Sequence, residues 1–410
     1  MLKIVFKNTF YQILAKIFAA GGTLIGTVLI TRFLGAKTFG EYSIVTSFVL
    51  SFYLLSDLGI NAITVKEFSQ DEKLIKKNFT SIFIFRIILG IILVGICNFV
   101  LIFFPYSSVI KNAIRIGSLL IFFQSLYSTC VIVFQAKLAY RYVAFISFLA
   151  SLFSLGILLP AVLLHKDIFY LIFSIVIGYA FYPLISIIFL RKYLTFSKDA
   201  VDIHYWKKVF FLSFPLGIAL ILNTFMIQAD RIILSVMSDT VSVGTYNLAY
   251  KLFDFVLVIP TFFMNAMFPI MVMSQNDAKH KLNNLLKKSL LILSLVSLFL
   301  TVGAFVLSKF LIPLIWGEAM VLSYIPFNIL MAGSIFFFLS SPLTWILVVQ
   351  NRQKVLPFLY GFAFIFNMVL NIIFIPQYNY LASAVITVLT EFLVFISLVF
   401  IVYPRLKLSS

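Results

Sequence analysis

Apolar residues in this chain fall in long continuous stretches rather than in alternation with polar ones. Stretches at approximately 10–34, 42–63, 79–104, 112–136, 143–164, 168–190, 208–237, 243–272, 289–315, 320–349, 355–376 and 380–403 predict membrane-crossing helices. A helix needs roughly 20 apolar residues to cross the hydrocarbon. It also satisfies its own backbone groups where no water is present. Barrel strands would alternate apolar and polar positions over about 10 residues, a pattern not seen here. Pro160, Pro183, Pro215, Pro260 and Pro342 lie inside or near span ends and predict kinks, either static or hinge-like. Lys3 and Lys7 precede the first stretch, which runs on through Ile30, beyond a signal-peptide core, so it is expected to be a retained span.

The polar positions inside these spans also follow a pattern. Gln12, Lys16, Thr23 and Thr27 share one face of the first span. Tyr42, Thr46, Tyr53, Asp57 and Asn61 do the same in the second, and Asn247, Lys251, Asp254, Thr261 and Asn265 in the eighth. The seventh offers Asn223 and Asp230, seven apart. A wet cavity explains polar stripes in spans 1, 2, 7 and 8; hydrogen bonding between packed helices is the alternative.

Composition excludes most other classes. Of the 410 residues, 62% are hydrophobic and 11% charged, and the mean hydropathy is +1.11. A soluble protein could not cover itself with so few polar groups. The expected fold is therefore an all-α polytopic membrane protein. About twelve transmembrane helices would form two six-helix lobes, residues 1–190 and 208–410, joined by a cytoplasmic linker at 191–207. Cys97 and Cys130 sit in apolar stretches and make no disulfide framework or metal spacing. No cofactor or metal is expected.

Charge sets the orientation. With the N-terminus placed inside, alternate loops carry 21 lysines and arginines on one side against 6 on the other. That bias puts both termini in the cytoplasm. The net charge of +17 is then topological. It calls for anionic lipid headgroups rather than nucleic acid as a partner. The loops are short and carry no P-loop, dinucleotide-binding glycine pattern or HExxH, so no enzyme activity is expected. Gly40-Glu41-Tyr42 and Gly244-Thr245-Tyr246 open the second and eighth spans, and Arg32 and Arg231 precede them. This faint repeat predicts parallel halves related by an axis along the membrane normal.

Charges within spans are costly and mark function by default. They are Lys16, Asp57, Arg86, Asp230, Arg231, Lys251, Asp254 and Glu391. Lys16, Asp57 and Arg86 lie within about two turns of the cytoplasmic end, where long side chains can snorkel. Asp254 and Glu391 are nearest mid-span. Lys251 and Asp254 can simply neutralise each other. Gly22 and Gly26 suit close helix packing, and Asn367 and Asn371 suit helix–helix hydrogen bonds. Tyr205, Trp206 and Trp316 fit an interfacial belt.

Several motifs carry a resemblance. Thr31-Arg32-Phe33-Leu34-Gly35, Phe39-Gly40-Glu41-Tyr42 and Asp57-Leu58-Gly59 resemble the first two spans of bacterial polysaccharide flippases. These are the O-antigen (Wzx-type) transporters of the multidrug/oligosaccharidyl-lipid/polysaccharide exporter superfamily. Asp230-Arg231 with Val243-Gly244-Thr245-Tyr246-Asn247-Leu248-Ala249 is similar to their seventh and eighth spans. Asn367-Met368-Val369-Leu370-Asn371, Ile375-Pro376 and Ala382-Ser383-Ala384 are similar to the eleventh and twelfth. The resemblance implies movement of undecaprenyl-pyrophosphate-linked oligosaccharide from the cytoplasmic to the outer leaflet of a bacterial inner membrane, by alternating access. It implies a cationic cavity, for which Lys16, Arg86, Arg231 and Lys251 are the within-span cations. Asp57, Asn223, Asp230, Asn247, Asp254 and Glu391 would line that cavity or couple transport. A polysaccharide polymerase and a chain-length regulator are the implied protein partners.

Two rivals stand beside this. A drug or cation exporter of the same superfamily would use the carboxylates Asp57, Asp230, Asp254 and Glu391. A membrane polymerase would carry a long outer loop or an acidic catalytic motif, and the chain shows neither.

Overall fold

The computed structural model describes residues 2–165, 167–191, 201–274, 279–350 and 352–407. Among them every regular element is helical. The first half runs α1 (Leu2–Asp57), α2 (Ile60–Gln70), α3 (Lys73–Leu101), α4 (Ser108–Gly117), α5 (Leu119–Ala136), α6 (Tyr140–Leu163) and α7 (Ile168–Leu190). The second runs α8 (Ile203–Met237), α9 (Thr240–Met273), α10 (Lys279–Trp316), α11 (Tyr324–Val349) and α12 (Leu356–Lys407). Short 3-10 turns, Glu318–Ser323 and Gln353–Val355, lead into α11 and α12.

These elements correspond to the expected spans, but two boundaries lie inside continuous helices. The helix α1 contains two spans that meet at Gly35, where φ is +78°. Glycine has no Cβ and takes this left-handed backbone without steric cost. The helix α12 likewise contains two spans, meeting at Asn379 with φ +49°. Asparagine tolerates positive φ better than most side chains. Leu58 and Gly59, both at positive φ, separate α1 from α2. Nine helical stretches among the described residues are long and apolar enough to cross a membrane, and Phe10–Gln70 and Leu356–Val402 each hold two of the expected spans. The protein is an all-α, multi-pass membrane protein.

The chain packs as two units, Met1–Thr224 and Phe225–Ser410. The division falls inside α8, not in the 191–207 connection, of which residues 192–200 lie outside the described residues. In the first unit, Phe68, Phe79, Cys130, Ile132, Val133, Phe134 and Ile146 form the main core. In the second, Met264, Leu286, Ile346, Leu347, Val394 and Leu398 do so. Gly22 packs on α6: a Cβ there would meet the Ser151 Cβ at 3.0 Å. Thr31, Thr46, Ser51, Thr129 and Ser186 bond back to carbonyls of their own helices, so these hydroxyls are satisfied without water.

The start of α8 belongs to the first unit for polar reasons. The Tyr205 hydroxyl donates to Glu67 Oε2 at 2.8 Å, and Lys208 Nζ stands 2.6 Å from Glu67 Oε1. The Trp206 indole N–H donates to Ser81 Oγ at 2.8 Å, and the Asp202 backbone N–H reaches the same hydroxyl at 3.0 Å. Tyr205 is buried and Trp206 half-buried against the unit. Trp316 is also buried.

Candidate functional site

The second unit gathers most of the intramembrane charge. A two-residue turn, Ser238-Asp239, joins α8 to α9 and makes them neighbours. Asp239 caps α9: its Oδ1 accepts from the N–H groups of Val241 and Ser242 at 2.9 Å, and its Oδ2 accepts from the Ser242 hydroxyl at 2.6 Å. Burial alone would raise this carboxyl, but these donors outweigh it and hold Asp239 below the usual carboxylate range. The cap fixes where α9 begins, and so fixes the residues of α9 that face the end of α8.

Arg231 stands at the centre of that facing pair. Its guanidinium carbon lies 4.2 Å above the centre of the Tyr250 ring. Its Nη2 is 3.3 Å from Asp254 Oδ2, and its Nη1 is 3.4 Å from Gln228 Oε1. Both contacts are long for charge-assisted bonds, which run at about 2.7–2.9 Å. The Arg231 Nε is buried and has no partner among the described residues. The Arg231 side chain is 12% exposed, whereas that of Asp254 is 49% exposed. A guanidinium has five N–H donors, so this one is held by a ring face and a reachable carboxylate with donors to spare.

Asp230, one residue earlier, points elsewhere. It is 2% exposed and accepts from the hydroxyls of Tyr246 and Thr387, the latter at 3.2 Å. The Arg231 backbone N–H completes the set at 2.8 Å. Asp230 therefore ties α8 to α9 and α12. Asn247 is buried and its amide donates to the Val243 carbonyl of its own helix at 2.9 Å. Glu391 is buried on α12 with the Ser340 hydroxyl beside it. No lysine or arginine pairs with Glu391 among the described residues. Asn367 donates to Thr390 at 3.2 Å, and Asn371 donates to the Asn367 carbonyl at 2.9 Å. The side chains of Asn223 and Asn265 lie outside the described residues.

The first unit holds a second cluster, built around a fully buried arginine. Arg86 does not snorkel to the surface; it turns inward and is 0% exposed. Its Nη2 donates to Asn61 Oδ1 at 2.7 Å and to Asp57 Oδ1 at 3.1 Å, and its Nη1 donates to the Ser56 carbonyl. The reason is local. Leu58 and Gly59 break the helix, so the Ser56 carbonyl cannot complete the usual helical bond, and a buried carbonyl needs a donor. The α2 start is held as well, since the Asn61 N–H donates to Asp57 Oδ1 at 3.3 Å. Lys16 lies exposed on α1.

Sequence reasoning found the charged members of these clusters. It missed the neutral ones that organise them: Tyr246, Tyr250, Gln228 and Thr387. Tyr246 and Tyr250 flank Asn247 and Lys251 by one position each, outside the stripe picked out by polarity. Four-residue spacing from Tyr246 to Tyr250 and Asp254 was the available signal.

The sequence pattern of polysaccharide biosynthesis proteins matches residues 5–275, and that of MatE matches residues 215–373. No curated protein sequence matches the chain. Among solved structures, the chain is similar to the lipid II flippase MurJ in its inward closed conformation. That likeness has 16% identity and TM-score 0.76, covering 96% of this chain and 87% of that one. An inward-facing multidrug resistance MATE family transporter of the MOP superfamily is similar at 9% identity and TM-score 0.75, covering 96% and 95%. The MATE multidrug transporter DinF-BH follows at 14% identity and TM-score 0.68, covering 98% and 95%. At these identities the structures speak for the fold, and the sequence pattern over most of the chain speaks for the family. The chain belongs to the polysaccharide biosynthesis protein family, within the multidrug/oligosaccharidyl-lipid/polysaccharide exporter superfamily.

Proposed function

We propose that this protein is a flippase that carries undecaprenyl-pyrophosphate-linked oligosaccharide units from the cytoplasmic to the outer leaflet of a bacterial inner membrane. It would work by alternating access between two lobes, with both termini in the cytoplasm. A polysaccharide polymerase and a chain-length regulator would act on the delivered units. The observation that carries this reading is Arg231: a largely buried guanidinium on a tyrosine face, with an unpartnered Nε and long bonds elsewhere. A pyrophosphate offers oxygen acceptors that such a fork can grip, and low dielectric strengthens the grip. Lys251, on the same stretch of α9, would supply a second cation, and Lys16 a cation at the inner end of the first unit. Arg86 would have to release Asp57 and the Ser56 carbonyl before it could hold substrate. Asp254 would act as the resident counterion of Arg231 until the pyrophosphate displaces it.

The test is export of surface polymer. Arg231→Ala and Lys251→Ala should reach the membrane at near-normal levels and fail to export. Arg231→Lys keeps charge but loses the planar fork, and should restore little. Wild-type surface polysaccharide in both alanine variants would refute the role, and loss of the protein itself would make Arg231 structural.

One observation favours the cation-exporter alternative. Glu391 is a buried carboxylate with a serine hydroxyl beside it and no basic partner among the described residues, a setting that suits an incoming cation or proton. If Glu391→Gln abolished efflux of a cationic dye while surface polysaccharide stayed normal, that alternative would replace the flippase.

A further inference from the structure

Arg231 is held by two supports of different kinds, and Tyr250 is the fixed one. It is buried, with the centre of its ring 4.2 Å from the guanidinium carbon. The ring is wedged in an aromatic run. Its centre lies 5.7 Å from that of Tyr246 and 6.1 Å from that of Phe253, and Phe253 meets Phe337 of α11 at 5.1 Å. A ring face attracts a cation without using any of its N–H donors. The guanidinium therefore keeps its seat and its donors whatever its counterion does.

Asp254 is the displaceable support. Arginine and carboxylate often pair through two parallel N–H bonds. Here one contact of 3.3 Å is made, the carboxylate is half-exposed, and the Arg231 Nε is left over among the described residues. Asp230 cannot stand in for it, because its carboxylate already accepts from Tyr246, Thr387 and the Arg231 backbone N–H. Lys251 precedes Asp254 by three residues on α9, so the two share a face of that helix. It interacts electrostatically with both Arg231 and Asp254. Two cations thus stand around one carboxylate that can be displaced.

This arrangement makes binding at Arg231 an exchange. A phosphodiester brings about one negative charge, and at Arg231 it replaces a carboxylate contact by a phosphate contact. The released carboxylate is half-exposed, so water and salt screen it. Little is gained, and a lipid with a single phosphate has no hold on the site. A disubstituted pyrophosphate brings about two charges. One phosphate exchanges with Asp254, and the other meets Lys251, adding a charge-assisted contact that the exchange does not cancel. We infer that Lys251 selects a pyrophosphate over a single phosphate, with Asp254 cancelling what Arg231 alone would give to either. The inference rests on the flippase reading and deepens it. Arg231 receives an anion, and Lys251 decides whether that anion belongs to the substrate or to an ordinary phosphodiester lipid of the bilayer.

The test compares two lipids that differ by one phosphate, on the full chain in nanodiscs, by native mass spectrometry. One is undecaprenyl-pyrophosphoryl-N-acetylglucosamine; the other is undecaprenyl-phosphoryl-N-acetylglucosamine. Wild type should bind the pyrophosphoryl lipid about tenfold more tightly or better. Lys251→Met and Lys251→Gln should bring the two affinities together, and Lys251→Arg should keep them apart. Asp254→Asn has a different signature: both lipids should bind more tightly by a similar factor, so that their ratio holds. A lysine that only supports the fold would not move that ratio. A preference retained in both neutral Lys251 variants would overturn the proposal, as would a preference lost in Asp254→Asn. Failure of both neutral Lys251 variants to reach the membrane would overturn it too, since the lysine would then be holding the fold. Equal wild-type binding of the two lipids would overturn the selection and leave the flippase reading standing. Binding of neither lipid by wild type would sink both.

Discussion

Tyr205 and Glu67, 138 positions apart in the chain, are joined by a hydrogen bond of 2.8 Å. Lys208 grips the other oxygen of the same carboxylate. One acidic residue at the end of the second span thus clasps the first turns of α8 by two different chemistries. Lys208 is 57% exposed, and an exposed ion pair contributes only about 0.2–1 kcal/mol. The phenol bond to a carboxylate on a buried ring should contribute more, about 1.5–3 kcal/mol. Tyr205→Phe is therefore expected to lower thermal stability in detergent more than Lys208→Met. The reverse order would show that the lysine, not the tyrosine, holds the clasp.

Farther along α8, Gly217 packs against a polypeptide backbone. A Cβ there would stand 2.5 Å from the Leu58 carbonyl oxygen, and a main-chain atom at a helix break cannot rotate away. Gly217→Ala should cost about 1–3 kcal/mol, as overpacking usually does. Gly303 is the control, since a Cβ there meets nothing within 4 Å and alanine is the better helix former. Chemical unfolding of both variants should show a loss for the first and none for the second.

The two arginine–aspartate pairs should respond differently to the same change. Asp57→Asn leaves the sealed Arg86 without its counter-charge and should cost about 3–5 kcal/mol, visible as reduced protein in the membrane. Asp254→Asn removes a carboxylate that is half exposed, so protein levels should stay near normal. Equal loss of protein in the two variants would contradict this assignment of one more buried and one more exposed pair.

Asp239 gives a pH dependence with a defined sign. Its carboxyl is held below the ordinary value of about 3.9. Its stabilising effect is therefore complete above the unfolded value and fades as pH falls through the lower folded value. Asp239→Ala should cost about 0.5–2 kcal/mol at neutral pH, and Asp239→Ser much less, because serine also caps helices. The melting-temperature gap between wild type and Asp239→Ala should narrow toward about pH 3. A constant gap would mean that the cap does not depend on charge.

Topology can be checked at the longest loop. A reporter fused at Ser197 should read cytoplasmic, as the excess of basic residues on that side requires. A periplasmic signal there would invert the whole assignment.

Much of the architecture was legible in the sequence because the bilayer imposes it. Each crossing requires a long apolar helix, so span positions, the all-helical class and the charged residues worth attention could be located from hydropathy alone. The pairing of those charges could not be located that way. Lys251 and Asp254 are three apart on one helix, yet Asp254 meets Arg231 from α8, because the Asp239 turn sets how α9 lies against α8. Arg86 has the length to reach water, yet it turns inward, because the break at Leu58 and Gly59 leaves a buried carbonyl in need of a donor. Hydropathy records what each residue costs in lipid, one position at a time. Which donor meets which acceptor depends on helix breaks and crossings that bring distant turns together, and only the tertiary structure decides those.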